Sequence, residues 1–184
     1  WNRPVRDILL ERLPYSVLIS LSAIVIIWVI GVLVGTYSAT HQYSAGDYAA
    51  TFAGFIGISV PPFLIALIAL WLTFKATGQA AIGLFSPEYQ LAPWSLARAW
   101  DLLKHLWVPA LMVGLGGTAS LIRTVRANLL DELGKPYVTV ARAKGLTERR
   151  LLYKYPFRIA MNPAVSTVGW LLPHLVSGEL LVSM

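Results

Sequence analysis

The stretch Tyr15–Tyr37, YSVLISLSAIVIIWVIGVLVGTY, holds 23 residues and not one charge. As an α-helix it reaches about 34 Å at 1.5 Å per residue, enough to cross a hydrocarbon core of about 30 Å. The whole chain agrees with that beginning. Of its 184 residues 57% are hydrophobic and 13% charged, whereas an ordinary soluble domain carries about 25% charged. The expected fold is all-α and integral to a membrane, a polytopic helical bundle. The net charge of +6 gathers beside apolar spans, where membrane orientation and anionic lipid explain it and nucleic acid does not. Cysteine is absent, which excludes disulfides and thiolate metal sites.

Three more spans follow. Ala49–Phe74 is also free of charge but has Pro61-Pro62 at its centre, where a backbone carbonyl loses its helical donor. Such a kink suits a wall facing protein or a water-filled path, with the Ser59 hydroxyl near it, and equally suits a bend that only improves packing. His105–Ile122 carries Pro109 and the small residues Gly114, Gly116 and Gly117, which let helices approach closely in lipid. Ile159–Met184 holds Pro163, Pro173, His174 and Glu179. An ionisable residue inside a span is a functional candidate, and Glu179 fits a translocation path, a pairing with a partner's arginine, or an interfacial position. The chain thus reads as one transmembrane domain over 1–184, with spans 13–38, 49–75, 105–127 and 159–184. It starts at Trp1 without a methionine and stops within an apolar run, so it is expected to be a piece of a longer protein.

These spans place the connections on two alternating sides. One side has Arg3, Arg6, Arg12, Lys75, Arg98 and Lys104. The other holds the short His41–Tyr48 loop and the long 123–158 loop, with nine Lys or Arg in all, and the positive-inside rule makes it cytoplasmic. The excursion 76–104 on the first side has turn chemistry at Gly78, Gly83, Ser86-Pro87 and Pro93. Apolar periodicity predicts a short helix over Ser95–Trp107, lying on the membrane surface or packed against neighbours, and Trp94, Trp100 and Trp107 fit an interfacial belt. Asn2–Arg12 is a similar amphipathic lead-in.

The cytoplasmic loop, 128–158, contains YVTVARAKGLTERRLL at Tyr137–Leu152. Pro136 suits the first turn of a helix, Tyr137, Val140, Ala141 and Lys144 share a face, and Gly145 stops it with a positive φ. Thr147 is placed to cap a second helix, Glu148 favours its N-terminus, and Leu151, Leu152 and Tyr155 give it an apolar face. Two short helices meeting at a glycine suit a rigid element gripped by a soluble subunit, with Arg142, Lys144, Arg149 and Arg150 at the rim. They also suit an amphipathic hairpin held by anionic lipid. The small Ala141, Ala143 and Gly145 cluster is what lipid binding does not require. No phosphate loop is present, since Gly134-Lys135 runs into Pro136, and His41, His105 and His174 are too scattered for a metal site. No catalytic arrangement is legible, and the chain is read as non-catalytic.

Several stretches, in order, resemble the permease subunits of bacterial ABC importers of the dipeptide, oligopeptide and nickel group. They are Glu11-Arg12-Leu13-Pro14, Ser59-Val60-Pro61-Pro62-Phe63, Pro109-Ala110-Leu111 and Arg123-Thr124-Val125-Arg126, then Tyr137, Ala141-Arg142-Ala143-Lys144-Gly145-Leu146, Arg158, Asn162-Pro163 and Gly169. The likeness implies the second to fifth of that family's spans, in the bacterial cytoplasmic (inner) membrane. It implies docking of 136–155 into an ATP-hydrolysing subunit, through Tyr137, Val140, Ala141, Arg142, Ala143, Lys144, Gly145, Leu146, Arg149 and Arg150. The implied partners are a second permease subunit, two ATP-binding subunits and an extracytoplasmic substrate-binding protein. ATP and Mg act through those partners, with no cofactor in this chain. Thr139 stands where that group usually has a basic residue, and the His41–Tyr48 loop lacks the family's arginines. Candidate path-lining residues are Ser59, Pro61, Pro62, Pro163, Pro173 and Glu179, because broken helices border cavities. Other classes consistent with the residues are a proton-coupled carrier using Glu179 and His174, and a membrane anchor that recruits a soluble protein.

Overall fold

The structure is a computed structural model that describes residues 4–77, 84–90, 92–166 and 169. All regular structure among the described residues is helical. Helix α1, Val5–Thr40, fuses the amphipathic lead-in to the first span, with Pro14 inside it. After a turn at His41–Ser44 comes α2, Ala45–Ser59, where Ser44 Oγ accepts the Asp47 N–H at 3.2 Å and caps the helix. The expected kink is a full break: α2 stops before Val60-Pro61 and α3, Pro62–Thr77, begins afresh. Consecutive prolines explain this, since the first disfavours helical geometry in Val60 and neither has an N–H to give.

The predicted surface helix and third span are likewise one element. Helix α4, Leu96–Leu133, runs 38 residues with Pro109 inside, capped by Ser95 Oγ on the Arg98 N–H at 3.2 Å. At about 57 Å it is longer than a hydrocarbon core, so it carries the chain well beyond the bilayer. Four short helices follow: α5 Pro136–Ala143, α6 Glu148–Lys154, α7 Pro156–Ala160 and α8 Asn162–Ser166. The expected fourth span therefore opens as α7 and α8, interrupted at Met161, and Pro173, His174 and Glu179 lie outside the described residues. By length and composition Arg12–Thr40 and α4 each suffice to cross a membrane, and α2 with α3 makes a third crossing if taken as one broken span.

The described residues fall into two compact units, one within 4–26 and 60–115, the other within 27–59 and 116–169. In the first, Arg98 lies over the rings of Phe85 and Trp94, at 4.7 and 4.9 Å, and donates to the carbonyls of Gln90 and Ala92. Asp101 accepts both the backbone N–H and the hydroxyl of Ser86 at 2.7 Å. These contacts tie the described part of the 76–104 excursion to the start of α4.

The second unit is organised by a seam between α1 and α4. Gly31 and Gly35, in the sequence GVLVG, face α4 so closely that a Cβ on Gly31 would stand 2.7 Å from the Leu121 side chain. One on Gly35 would meet Val125 Cβ at 2.9 Å and the Ile122 carbonyl oxygen at 3.0 Å. From the other helix, Gly117 admits Ile27 in the same way. This is close packing by small residues in lipid, and Ile27, Val125 and Leu129 are fully buried along it. Val29, Leu33 and Tyr37, on the opposite face of α1, are exposed and available to lipid.

The seam yields a comparison of one substitution at two places. Gly54 in α2 has nothing within 4 Å of an added Cβ. Gly54→Ala should therefore hold or raise stability by up to about 1 kcal/mol through helix propensity. Gly35→Ala gains the same propensity but forces the seam apart, at about 1–3 kcal/mol. The melting temperature of the detergent-solubilised subunit should fall for Gly35→Ala and not for Gly54→Ala; a raised value for Gly35→Ala would contradict the close seam.

Candidate functional site

The hairpin α5–turn–α6 is built from its sequence in simple steps. Pro136 occupies the first turn of α5, where its missing N–H costs nothing. At the other end the Gly145 N–H donates to the Arg142 carbonyl at 3.0 Å and the Leu146 N–H to the Ala141 carbonyl at 3.4 Å. That pair of bonds is the Schellman stop, and it requires the left-handed φ of +81° found at Gly145. Leu146 then folds back with Tyr137 onto a small core of Val138, Ala141 and Leu151. Arg142 and Glu148 bridge the turn through two hydrogen bonds, at 2.5 and 3.0 Å. The arginine's bonds hold the Glu148 carboxyl below its ordinary range, but both groups are exposed and the pair adds little to stability. Thr147 stands at the N-cap of α6, yet its side chain makes no capping bond, so that expectation fails.

Fastening to the rest of the unit comes from two directions. Glu132, in the last turn of α4, accepts the Tyr137 hydroxyl at 2.6 Å and Lys135 Nζ at 2.9 Å. Burial, and next the bond to Glu132, push the Tyr137 hydroxyl up to about 12. From the far side of the hairpin, Leu152 of α6 packs with Leu130 and Leu133 against a core of Ala39, Leu129 and Ala160. The hairpin is thus bolted to the ends of α1 and α4.

Beside those ends lies a charged cluster that the sequence reading passed over. Asp47 is 2% exposed and meets Arg126 in a two-pronged pair, Nε to Oδ1 and Nη2 to Oδ2, both at 2.8 Å. Ser38 of α1 donates to the same carboxylate and accepts Arg126 Nε at 3.2 Å, and the Tyr43 N–H donates to Oδ2 at 3.0 Å. To aim that N–H, Tyr43 adopts a φ of +63°, uncommon for a side chain of its size. Helices α1, α2 and α4 meet here. A signal was available: Asp47 is the one acid between Glu11 and Glu88, and a lone carboxylate in an apolar stretch needs a cation.

Seven of the ten predicted coupling residues line one or other of two grooves. Tyr137, Val140, Ala141, Lys144 and Leu146 line one of about 390 Å³, together with Tyr155 and Ile159. Arg142 is occupied by Glu148, Ala143 is exposed on α5, and Gly145 forms the tip. Arg149 and Arg150 stand apart, in a separate groove on α6 and α7. Of the candidate path residues, Ser59 and Pro61 are exposed at the end of α2 and in the break, Pro62 opens α3, and Pro163 is exposed in α8. Neither groove is lined by any of them.

Residues 31–184 match the family described as binding-protein-dependent transport system inner membrane component. Among curated proteins, the chain is 31% identical over 182 residues to the oligopeptide transport system permease protein AppB of Bacillus subtilis, covering 97% of this chain and 55% of that protein. It is 30% identical over 185 residues to OppB of Mycobacterium tuberculosis, also an oligopeptide transport system permease protein, covering 98% and 57%. Against the dipeptide transport system permease protein DppB of Lactococcus lactis the identity is 30% over 182 residues, covering 98% and 55%. The chain spans about half the length of these relatives.

Two outcomes follow from the geometry. Asp47→Asn strands the Arg126 charge and should destabilise the subunit by about 3 kcal/mol, whereas Asp47→Asn/Arg126→Gln should cost clearly less than the two single changes added. Unfolding of the four proteins in bicelles completes that cycle, and strict additivity would mean the pair is not coupled. Tyr137 titrates higher folded than unfolded, so its contribution is complete below pH 10.0 and fades as pH rises to about 12. The stability advantage of wild type over Tyr137→Phe should therefore shrink across that window and stay level beneath it for as long as Glu132 remains ionised.

Proposed function

The chain belongs to the family of binding-protein-dependent transport system inner membrane components, and on that premise we propose that it is the pore-forming permease subunit of an ATP-driven importer. Peptides or related small ligands are the substrate class, by the likeness to proteins named for oligopeptide and dipeptide transport. The subunit pairs with a second permease subunit, receives substrate from an extracytoplasmic binding protein, and is driven by two ATP-binding subunits that hold the ATP and Mg. It performs no chemistry itself.

One observation carries this reading: the α5 hairpin is rigid at its tip and bolted to the helices at its base. The partner's cleft grips the face of Tyr137, Val140, Ala141, Lys144 and Leu146, with Ala143 and Gly145 small enough at the tip to enter. Arg142 contributes by bracing the turn through Glu148. Displacement of the hairpin is then carried to α4 through Glu132 and Tyr137, to α1 through Ala39, Leu129 and Ala160, and to α2 through Arg126 and Asp47. Helix α2 ends at Ser59, directly before the proline break, which is where a change of path shape is expected. A lipid-bound hairpin needs neither this chain of contacts nor a narrow tip.

The test is the full-length subunit purified with its genome-neighbour ATPase. A Cβ at Gly145 meets nothing within 4 Å, so a larger side chain there projects outward and strains only the turn. Gly145→Trp should leave the subunit folded in the membrane while substrate-stimulated ATP hydrolysis falls at least tenfold, about 1.4 kcal/mol of lost coupling. Undiminished stimulation in that variant would sink the coupling assignment.

A further inference from the structure

A groove of about 470 Å³ runs along α6 into α7, lined by Thr147, Arg149, Arg150, Tyr153, Lys154 and Arg158. It shares no residue with the groove on the α5 face. Four of its six residues are cations, none is an acid, and all six are exposed. Three other cations in this part of the chain are matched, Arg126 with Asp47, Lys135 with Glu132 and Arg142 with Glu148, while Arg123 and Lys144 stand singly rather than in a cluster. Arg149, Arg150, Lys154 and Arg158 meet no carboxylate among the described residues. Like charges held along one groove repel one another, and an anion placed among them relieves that repulsion. Guanidinium groups suit phosphate, which they bind through paired N–H donors, and the Thr147 and Tyr153 hydroxyls add further donors.

The position of the groove selects among anions. Arg158 stands one residue before Ile159, where the apolar run of 159–184 begins, and with that run taken as a span the α7 end of the groove falls at headgroup depth. Long basic side chains at that depth extend their charges into the headgroup layer. We propose that this groove binds the phosphate of an anionic phospholipid and so pins the α6–α7 end of the hairpin to the membrane surface. The proposal needs only that the chain lies in a membrane, and it stands whether or not the α5 face docks on an ATPase.

The full-length subunit, carried from detergent into nanodiscs of phosphatidylcholine with a minority of phosphatidylglycerol, provides the test. Wild type should enrich phosphatidylglycerol among the lipids that stay bound when native mass spectra are recorded. Arg150→Gln/Arg158→Gln should reduce that enrichment by roughly fivefold for each charge removed, the equivalent of about 1 kcal/mol per basic residue near an anionic surface. Arg150→Lys/Arg158→Lys keeps the charge and should keep most of the lipid, which separates loss of charge from loss of fold. Equal retention by the glutamine variant and wild type, or no preference for phosphatidylglycerol in wild type, overturns the proposal. So does a glutamine variant that keeps the lipid but releases a co-purifying soluble protein, which would assign the groove to that partner.

Discussion

A carboxylate withdrawn from water among apolar helices must be matched, and at Asp47 the match is Arg126, supported by Ser38 and the Tyr43 N–H. The cost of desolvating two charges is recovered only when geometry is good and the remaining lone pairs are used, as they are here. The consequence is positional. Three helices have one arrangement in which that carboxylate is satisfied, and sliding any of them strands a charge. The glycine seam of α1 and α4 brings the two helices close, and the ion pair at its end adds a charge requirement to the same register. Everything further along depends on that register, because α4 continues from Arg126 through Leu129 to Glu132, and these residues hold the hairpin.

Much of this was legible from sequence, for definable reasons. The apolar run of α1 and the Pro136 to Gly145 punctuation are local signals, and both behave as their chemistry dictates, down to the positive φ of Gly145. The Pro61-Pro62 kink was legible in kind, though the break is more complete than a kink. What failed was either boundary or pairing. The lead-in and the surface helix fused with their spans because nothing in Asn2–Arg12 or Ser95–Trp107 forces a stop. Pro14 and Pro109 remove one donor each without ending the helix. Thr147 has the right residue type for a cap, but the side chain does not make the bond.

The pairings were hidden for a deeper reason. Asp47 and Arg126 are 79 residues apart, and periodicity carries no information across such a distance. Gly31 and Gly35 lie unmarked inside the apolar run, and only the facing Leu121 and Val125 show what the missing side chains are for. In the same way the sequence reading places Arg149 and Arg150 at one rim with Arg142 and Lys144, without saying which face of the second helix they occupy. The turn at Gly145 sends them along another face.

Under the coupling role proposed above, the shortness of the hairpin helices bears on how force would pass through them. Eight residues in α5 and seven in α6 are too few to be helical alone in water, where marginal stability needs about 12–15 residues. Their order comes from Val138, Ala141 and Leu151 packed together, from Glu132 beneath Tyr137, and from Leu152 set against Leu130 and Leu133. A docking surface made this way exists only while it is mounted on the membrane helices. A partner that grips it cannot displace it independently of its mount without breaking the contacts that keep it folded. A longer, self-sufficient helix could swing on its linkers and dissipate the motion; this one must either carry α1 and α4 with it or unfold.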